Sequence, residues 1–127
     1  MFRLIFAGFL FWPTVALSVT YYCPVSSKVW EKGAYSASQL QSGQFAVKIV
    51  DSGDRATLSR CSFTPIEGRV TCDEYEVDYI AQDSNIGVKK YYVFNSQFDI
   101  QLFANMFFVE NNGRGNIGYG TCRVTQP

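Results

Sequence analysis

The chain has 127 residues, with 11 basic and 11 acidic side chains and no histidine. The balanced charge gives no support for binding nucleic acid or an anionic membrane surface, since both need a concentrated basic field. Without histidine the chain lacks the commonest general base and the commonest transition-metal ligand, so we expect no cofactor, no metal site and no enzymatic activity.

Residues 1–18 have the layout of a secretory signal peptide. Arg3 gives a positive start, and an uncharged apolar run follows from Leu4 to Ala16. The run is about 13 residues long, shorter than the roughly 20 that a membrane-spanning helix needs. Small residues precede a cut after Ser18, and a cut after Ala16 is the alternative. We expect residues 19–127 to be a secreted or periplasmic domain without membrane attachment.

Short strands separated by turn residues follow along the chain. We predict strands over 19–23, 28–30, 44–51, 56–63, 69–80, 88–94, 98–103, 106–110 and 117–125. Residues 24–27 are predicted as a turn and residues 31–43 as a loop, because the latter are small and polar with no clear period. The fold class is therefore an all-β domain, a small antiparallel barrel or sandwich of about eight strands.

Residues 97–105 are ambiguous. Ser96 and Asp99 fit a helix capping box, and Phe98, Leu102 and Met106 have helical spacing. Phe98, Ile100 and Leu102 also alternate as a strand does. The aromatic and β-branched residues favour a strand, and one short helix is the alternative.

The hairpin over residues 56–80 predicts how the four cysteines pair. A turn centred between Ile66 and Glu67 places Cys61 opposite Cys72, within disulfide reach. Cys23 and Cys122 then pair with each other, as expected for an exported chain with an even cysteine count. The same register predicts four further cross-strand pairs: Arg60 with Asp73, Arg55 with Asp78, Leu58 with Tyr75 and Ala56 with Val77.

Two segments are candidate partner-binding surfaces. On the second hairpin strand Glu74, Glu76 and Asp78 share one face, which is either solvated or a face for a basic partner. A loop presents Arg114 between two glycines and beside three amides, Asn111, Asn112 and Asn116. The arginine is either solvated or a probe for an acidic cleft. We predict that Arg114→Ala leaves folding intact and weakens capture of a partner.

Tyr21-Tyr22-Cys23 near the start and Cys122 near the end carry one resemblance. In architecture the chain resembles small exported β-barrels that inhibit lysozyme, in which an early Tyr-x-Cys cysteine bonds to a cysteine near the C-terminus. The serine–glycine–tyrosine loop that such inhibitors insert has no counterpart here. The resemblance implies a lysozyme-inhibitor-like periplasmic protein as one possible role.

Three functions follow from the sequence. The first is a non-enzymatic protein-binding module. The second is a small-molecule or lipid-binding barrel, which requires a cavity of roughly 300 Å³ or more. The third is a hydrolase that uses the carboxylates of Glu74, Glu76 and Asp78. Oligomeric state is left open.

Overall fold

A computed structural model describes residues 17–125, so the predicted apolar run of the signal peptide lies outside the described residues. The described chain is built almost entirely of strands. In chain order the elements are β1 (Val19–Trp30), β2 (Gly33–Ala34), α1 (Ala37–Gly43), β3 (Ala46–Asp51), β4 (Ala56–Thr64), β5 (Arg69–Glu76), β6 (Tyr79–Asp83), β7 (Val88–Val93), β8 (Phe98–Phe103), β9 (Phe107–Asn111), β10 (Ile117–Thr121) and β11 (Arg123–Thr125).

All strands belong to one antiparallel sheet, which curls into a half-barrel. Nine of them lie side by side in the order β5-β4-β3-β1-β10-β9-β8-β7-β6, and the short strands β2 and β11 pair with β1. This confirms the all-β fold class. The predicted strand 117–125 is divided into β10 and β11, and β2 lies within the predicted loop 31–43. Both differences arise because β1 is long enough to pair with different partners along its length.

The β4–β5 hairpin has the predicted register. Cys61 lies opposite Cys72, Arg60 opposite Asp73 and Leu58 opposite Tyr75. Both predicted disulfides are confirmed, one linking Cys61 to Cys72 within the hairpin and one linking Cys23 to Cys122 across 99 residues of sequence.

The predicted strand over residues 69–80 is divided in two. Val77 still donates its backbone N–H to Ala56 O, at 3.0 Å, but Asp78 donates its N–H to Tyr92 O on β7, at 2.8 Å. The chain thus passes from the flank of β4 to the flank of β7 within two residues. The two edge strands of the sheet meet at this point. The predicted pairing of Arg55 with Asp78 was wrong for the same reason.

β8 settles the ambiguity at residues 97–105 in favour of the strand. Phe98, Ile100 and Leu102 alternate as buried residues along β8, which pairs with β7 and β9. Burying three large apolar side chains on one face of a sheet outweighs the local capping signal. The alternative of a short helix there was wrong.

Two other predictions fail between residues 24 and 43. The predicted turn at 24–27 is instead part of β1, where an irregularity between Val25 and Ser27 marks a β-bulge. The predicted loop contains α1, which begins at the N-cap Ser36. There Gln39 N–H donates to the Ser36 hydroxyl, and the Gln39 side chain accepts from Ser36 N–H, forming a capping box.

The concave side of the sheet holds the hydrophobic core. Its largest fully buried side chains are Tyr91, Phe108, Ile49, Leu58, Ile100 and Val47. Two glycines of β10 make room for it. A Cβ at Gly120 would lie 2.3 Å from Pro24 O and 2.7 Å from the Phe108 ring, so only glycine lets β1 and β9 pack at this distance from β10.

Candidate functional site

A cavity of about 200 Å³ lies between β1, β4, β5 and β9. Its lining combines two cations, two carboxylates and two aromatic rings: Lys28, Arg60, Asp73, Glu110, Phe45 and Tyr75. Gly118 stands in register between Lys28 of β1 and Glu110 of β9. Because Gly118 has no side chain, the space between these two charged residues stays open.

One ion pair is internal to the cavity wall. Arg60 Nε donates to Glu110 Oε2 at 2.8 Å, and the guanidinium also lies over the Phe98 ring at 4.9 Å. Glu110 is only 5% exposed. A carboxylate this buried needs a partner, and Arg60 supplies it, so these two charges neutralise each other.

Lys28 is the unusual member of the wall, because a lysine is almost never this buried without a partner. It is 8% exposed, and its ammonium lies 4.1 Å from the centre of the Phe45 ring. Burial lowers the pKa of Lys28, the nearby charge of Glu110 opposes that shift, and Arg60 adds to it. Within residues 17–125, no carboxylate comes within ion-pair distance of Lys28.

Asp73 faces the same cavity from β5. It stands opposite Arg60 in the hairpin register, yet Arg60 is bonded to Glu110. Among the described residues Asp73 has no salt bridge. Asp73 is exposed to solvent, whereas Lys28 is buried. The cavity therefore presents a buried cation and, at its solvent-exposed wall, a carboxylate, and neither is in an ion pair in the described part of the chain.

A second polar cluster lies on the concave side and is mostly buried, with Lys89 partly exposed. Asp51, 6% exposed, accepts hydrogen bonds at Oδ2 from the Tyr91 hydroxyl and from Lys89 Nζ, both at 2.6 Å, and at Oδ1 from Gly53 N–H at 2.7 Å. Burial alone would raise the pKa of Asp51, but the hydrogen bonds from Lys89, Tyr91 and Gly53 lower it. Burial and the Asp51 charge raise the pKa of Tyr91. All three donors are used internally, so we assign this cluster to stability.

The acidic strand forms an edge of the sheet, and its polar backbone is half unpaired. β5 pairs with β4 alone. In an antiparallel pair, residues alternate between those that bond to the neighbour and those that do not. Because the backbone N–H of Val77 donates to β4, the N–H and C=O groups of the other odd-numbered residues of β5 also point to β4. The N–H and C=O groups of the even-numbered residues, Val70, Cys72, Glu74 and Glu76, point to the free side.

The same even-numbered residues carry the exposed acids. Glu74 and Glu76 stand opposite Ser59 and Thr57 and are exposed on the convex face, as predicted. Asp78 does not continue this row. Its Oδ2 accepts the Phe94 N–H at 2.7 Å, so Asp78 is used to hold the start of the β7–β8 turn. The structure brings Glu74 and Glu76 together and assigns Asp78 elsewhere.

The Arg114 loop is a rigid five-residue connection, not the two-residue turn that Asn112-Gly113 suggests, since Asn112 N–H donates to Asn116 O. Asn111 Oδ1 accepts from Gly113 N–H, and Asn112 Oδ1 accepts from the N–H groups of Arg114 and Asn116. These side chains therefore build the loop. Arg114 itself is exposed.

Gly113 fixes where the Arg114 loop lies. It has a φ of 76°, and a Cβ there would lie 1.7 Å from Gln97 O. The loop therefore packs on the β7–β8 turn, and this contact restricts the backbone from which Arg114 projects. Asn116 Oδ1 is buried without a hydrogen-bond partner among the described residues.

The sequence prediction missed Lys28, Arg60, Asp73 and Glu110 as one cluster. The alternation of Phe108 and Glu110 places a carboxylate on the core side of β9, which is a usable signal for a buried ion pair. Nothing in the sequence brings Lys28 near that carboxylate, because the two residues lie on β1 and β9, with Gly118 of β10 between them.

Two searches of residues 17–125 give no positive result. Over this range no group of three or more cysteine, aspartate or glutamate side chains could hold a metal ion. Nor does any helix in it have the length and apolar character to cross a membrane.

Comparison with known proteins gives no relative. No family model matches the chain, and neither the curated proteins nor the solved structures include a significant match.

Proposed function

We propose that this chain is an exported, non-enzymatic protein-binding module that captures a basic, extended segment of a partner along the free edge of β5. One observation carries the proposal. The backbone groups of four residues are unpaired on a strand whose convex side chains, Glu74 and Glu76, are acidic and exposed.

The backbone supplies the affinity. An extended peptide that adds to a sheet edge gains main-chain hydrogen bonds, and alternate side chains give specificity. β7 already occupies this side of the chain at Asp78, where Tyr92 O accepts the N–H. From Glu76 back to Val70, no described strand pairs with the side of β5 that faces away from β4. A guest strand running in the direction of β7 would be antiparallel to β5.

The charges select the guest. Sheet edges often carry charged residues that prevent pairing between copies of the same protein. Glu74 and Glu76 repel a second acidic edge, and they attract a strand with lysine or arginine on its convex side. Such attraction speeds association most at low ionic strength.

Two observations support export. Both pairs of cysteines form disulfides, which persist in oxidising compartments and are rare in the reducing cytosol. The sequence layout of residues 1–18 supports a signal peptide. We propose a secreted or periplasmic location on these grounds.

Arg114 is a second, separate contact candidate. The loop holds its backbone through Asn112, so Arg114→Ala should leave the free energy of unfolding within about 0.5 kcal/mol of the wild type. An acidic partner captured from envelope or medium should be recovered less well by the variant. Equal recovery would remove the Arg114 loop from the binding surface.

The other functions have less support from the geometry. A lipid carrier needs an enclosed apolar cavity of roughly 300 Å³ or more, whereas the cavity beside Lys28 is about 200 Å³ and lined with charges. A depression of about 690 Å³ beside α1 is large enough but open to solvent, and its rings alternate with serine and glutamine side chains. The hydrolase hypothesis needs converging carboxylates, and Asp78 is engaged with Phe94 N–H. The lysozyme-inhibitor-like role keeps one supporting feature, the bond between Cys23 and Cys122.

The test uses a synthetic peptide in which lysine alternates with threonine. Substituting both acids, Glu74→Gln and Glu76→Gln, should weaken peptide binding roughly fivefold, because each exposed ion pair contributes about 0.5 kcal/mol. Isothermal titration at low and moderate salt measures the change. The wild-type affinity should fall with salt more steeply than that of the double variant.

A matched control removes the same charge elsewhere. Glu31 and Asp83 are exposed and lie outside β5, so the pair Glu31→Gln and Asp83→Asn should bind the peptide as the wild type does. If both double variants lose the same affinity, the attraction is general and the β5 edge is not the site.

A further inference from the structure

The cavity between β1, β4, β5 and β9 has a charge arrangement that edge binding does not explain. Of its four charges, Arg60 and Glu110 bond to each other at 2.8 Å. Lys28 and Asp73 line the same cavity, and within residues 17–125 neither forms a salt bridge. Among the described residues the Lys28 ammonium has the rings of Phe45 and Tyr35 as neighbours but no counter-charge in contact, and a buried charge without a counter-charge is costly, which points to a ligand.

The sum of the charges limits the ligand. With Lys28, Arg60, Asp73 and Glu110 ionised, the cavity is neutral, and a simple anion or cation would leave an unbalanced charge in a partly buried site. A molecule with one group of each sign adds no net charge. It also offers a carboxylate to Lys28 and an ammonium to Asp73.

The size of the cavity limits the ligand further. About 200 Å³ is below the roughly 300–1,000 Å³ of sites for drug-sized molecules. The rings of Phe45 and Tyr75 give the wall two flat apolar surfaces against which a short aliphatic part can pack.

We infer that this cavity binds a small zwitterion of the α-amino-acid type, with its carboxylate paired to Lys28 and its ammonium paired to Asp73. The site lies beside the β5 edge but does not use Glu74 or Glu76, so it goes beyond the proposed capture of a peptide.

Burial of Lys28 supplies an internal reporter. The pKa of its ammonium is lowered mainly by burial. A bound carboxylate favours the charged form, so ligand binding should raise the pKa of Lys28 and take up protons at alkaline pH.

The test compares three molecules of nearly equal size: L-alanine, propionate, which lacks the ammonium, and ethylammonium, which lacks the carboxylate. Nuclear magnetic resonance follows the amides of the cavity wall and the side chain of Lys28. L-Alanine should bind about tenfold more tightly than either analogue, since each charged contact is lost in one of them. Equal binding of propionate, or no shift of the cavity amides with any of the three, would overturn the inference.

Variants assign the two ends of the ligand. Lys28→Met should weaken L-alanine binding about tenfold and leave ethylammonium binding unchanged, while Asp73→Asn should weaken L-alanine and spare propionate. Lys32→Met and Asp54→Asn remove exposed charges outside the cavity and should have no effect. Because the wild-type comparison needs no variant, a failure of either variant to fold leaves the inference testable.

The result is separable from peptide capture. Glu74→Gln with Glu76→Gln should leave L-alanine binding intact, and loss of L-alanine binding in Lys28→Met should leave the peptide affinity intact. If instead the acidic edge variant abolishes L-alanine binding, the ligand is held at the edge and not in the cavity.

Discussion

Asp51 shows how a single buried carboxylate can dominate the acid stability of a small sheet. Lys89, Tyr91 and Gly53 all donate to it, and they lower its pKa below the ordinary value of 3.8 despite its burial. A depressed carboxylate pKa stabilises the fold above the unfolded value and loses that contribution as the pH falls through the folded value.

The prediction for Asp51 concerns the acid limb of stability. The wild type should lose stability as the pH falls below about 4. Asp51→Asn should be less stable at neutral pH by roughly 3 kcal/mol, because it leaves Lys89 in a partly buried site without its counter-charge. The free energy of unfolding of this variant should fall less with decreasing pH than that of the wild type. Urea unfolding between neutral and acidic pH measures both, and parallel pH profiles would contradict the assignment.

Lys28 illustrates what the sequence could not show. Tyr21, Cys23 and Val25 face the core, so strict alternation would turn Lys28 to the convex side. The bulge between Val25 and Ser27 changes the phase of β1 by one residue and turns Lys28 inward. A bulge arises from pairing with another strand, and the sequence of residues 24–28 contains no local signal that predicts it.

The two capping signals in this chain had opposite outcomes. Ser36 and Gln39 form a real capping box at α1, in a seven-residue helix with no buried residues. The similar signal at Ser96 and Asp99 fails, because β8 lies between two partners and buries Phe98, Ile100 and Leu102. Local hydrogen bonding decides where no sheet competes for the chain, and tertiary pairing decides elsewhere.

The β4–β5 hairpin was the most predictable element of the fold. Its turn, its disulfide and the apolar pair of Leu58 with Tyr75 all favour the same register, and agreement between such signals is what specifies a structure. Its role as an edge was not predictable. β5 would have a second neighbouring strand if β7 extended beside it. The sequence of the hairpin carries no information about where β7 ends.

The disulfides act on the whole molecule through its unfolded state. The bond between Cys23 and Cys122 closes a loop spanning 99 residues of sequence, and the bond between Cys61 and Cys72 spans 11. In the chain-entropy model these loops correspond to roughly 5 and 3 kcal/mol of stability.

We predict that the two disulfides contribute unequally to the free energy of unfolding. Replacing Cys23 and Cys122 by alanine should destabilise the protein more than replacing Cys61 and Cys72. The first pair is also buried, so its removal leaves a cavity as well. Free energies of unfolding in urea give the comparison, and the reverse order would show that hairpin strain or residual unfolded structure outweighs loop length.

The half-barrel places both proposed binding features on one strand. β5 has an unpaired backbone edge, where we propose peptide capture, and forms one wall of the charged cavity, where we propose a small ligand. Both features lie just before Val77 and Asp78, where the chain stops pairing with β4 and begins to pair with β7. The sheet keeps two edge strands, β5 and β6, and β5 is the one whose exposed face carries the two acids Glu74 and Glu76.

Hydrogen exchange along β5 tests the central claim most directly. A saturating lysine–threonine peptide should slow exchange at the amides that point away from β4, those of Val70, Cys72, Glu74 and Glu76. The amides of Thr71, Asp73 and Tyr75 already bond to β4 and should change little. Unchanged exchange at the four outward amides, or slowing confined to the loop around Arg114, would contradict capture at this edge.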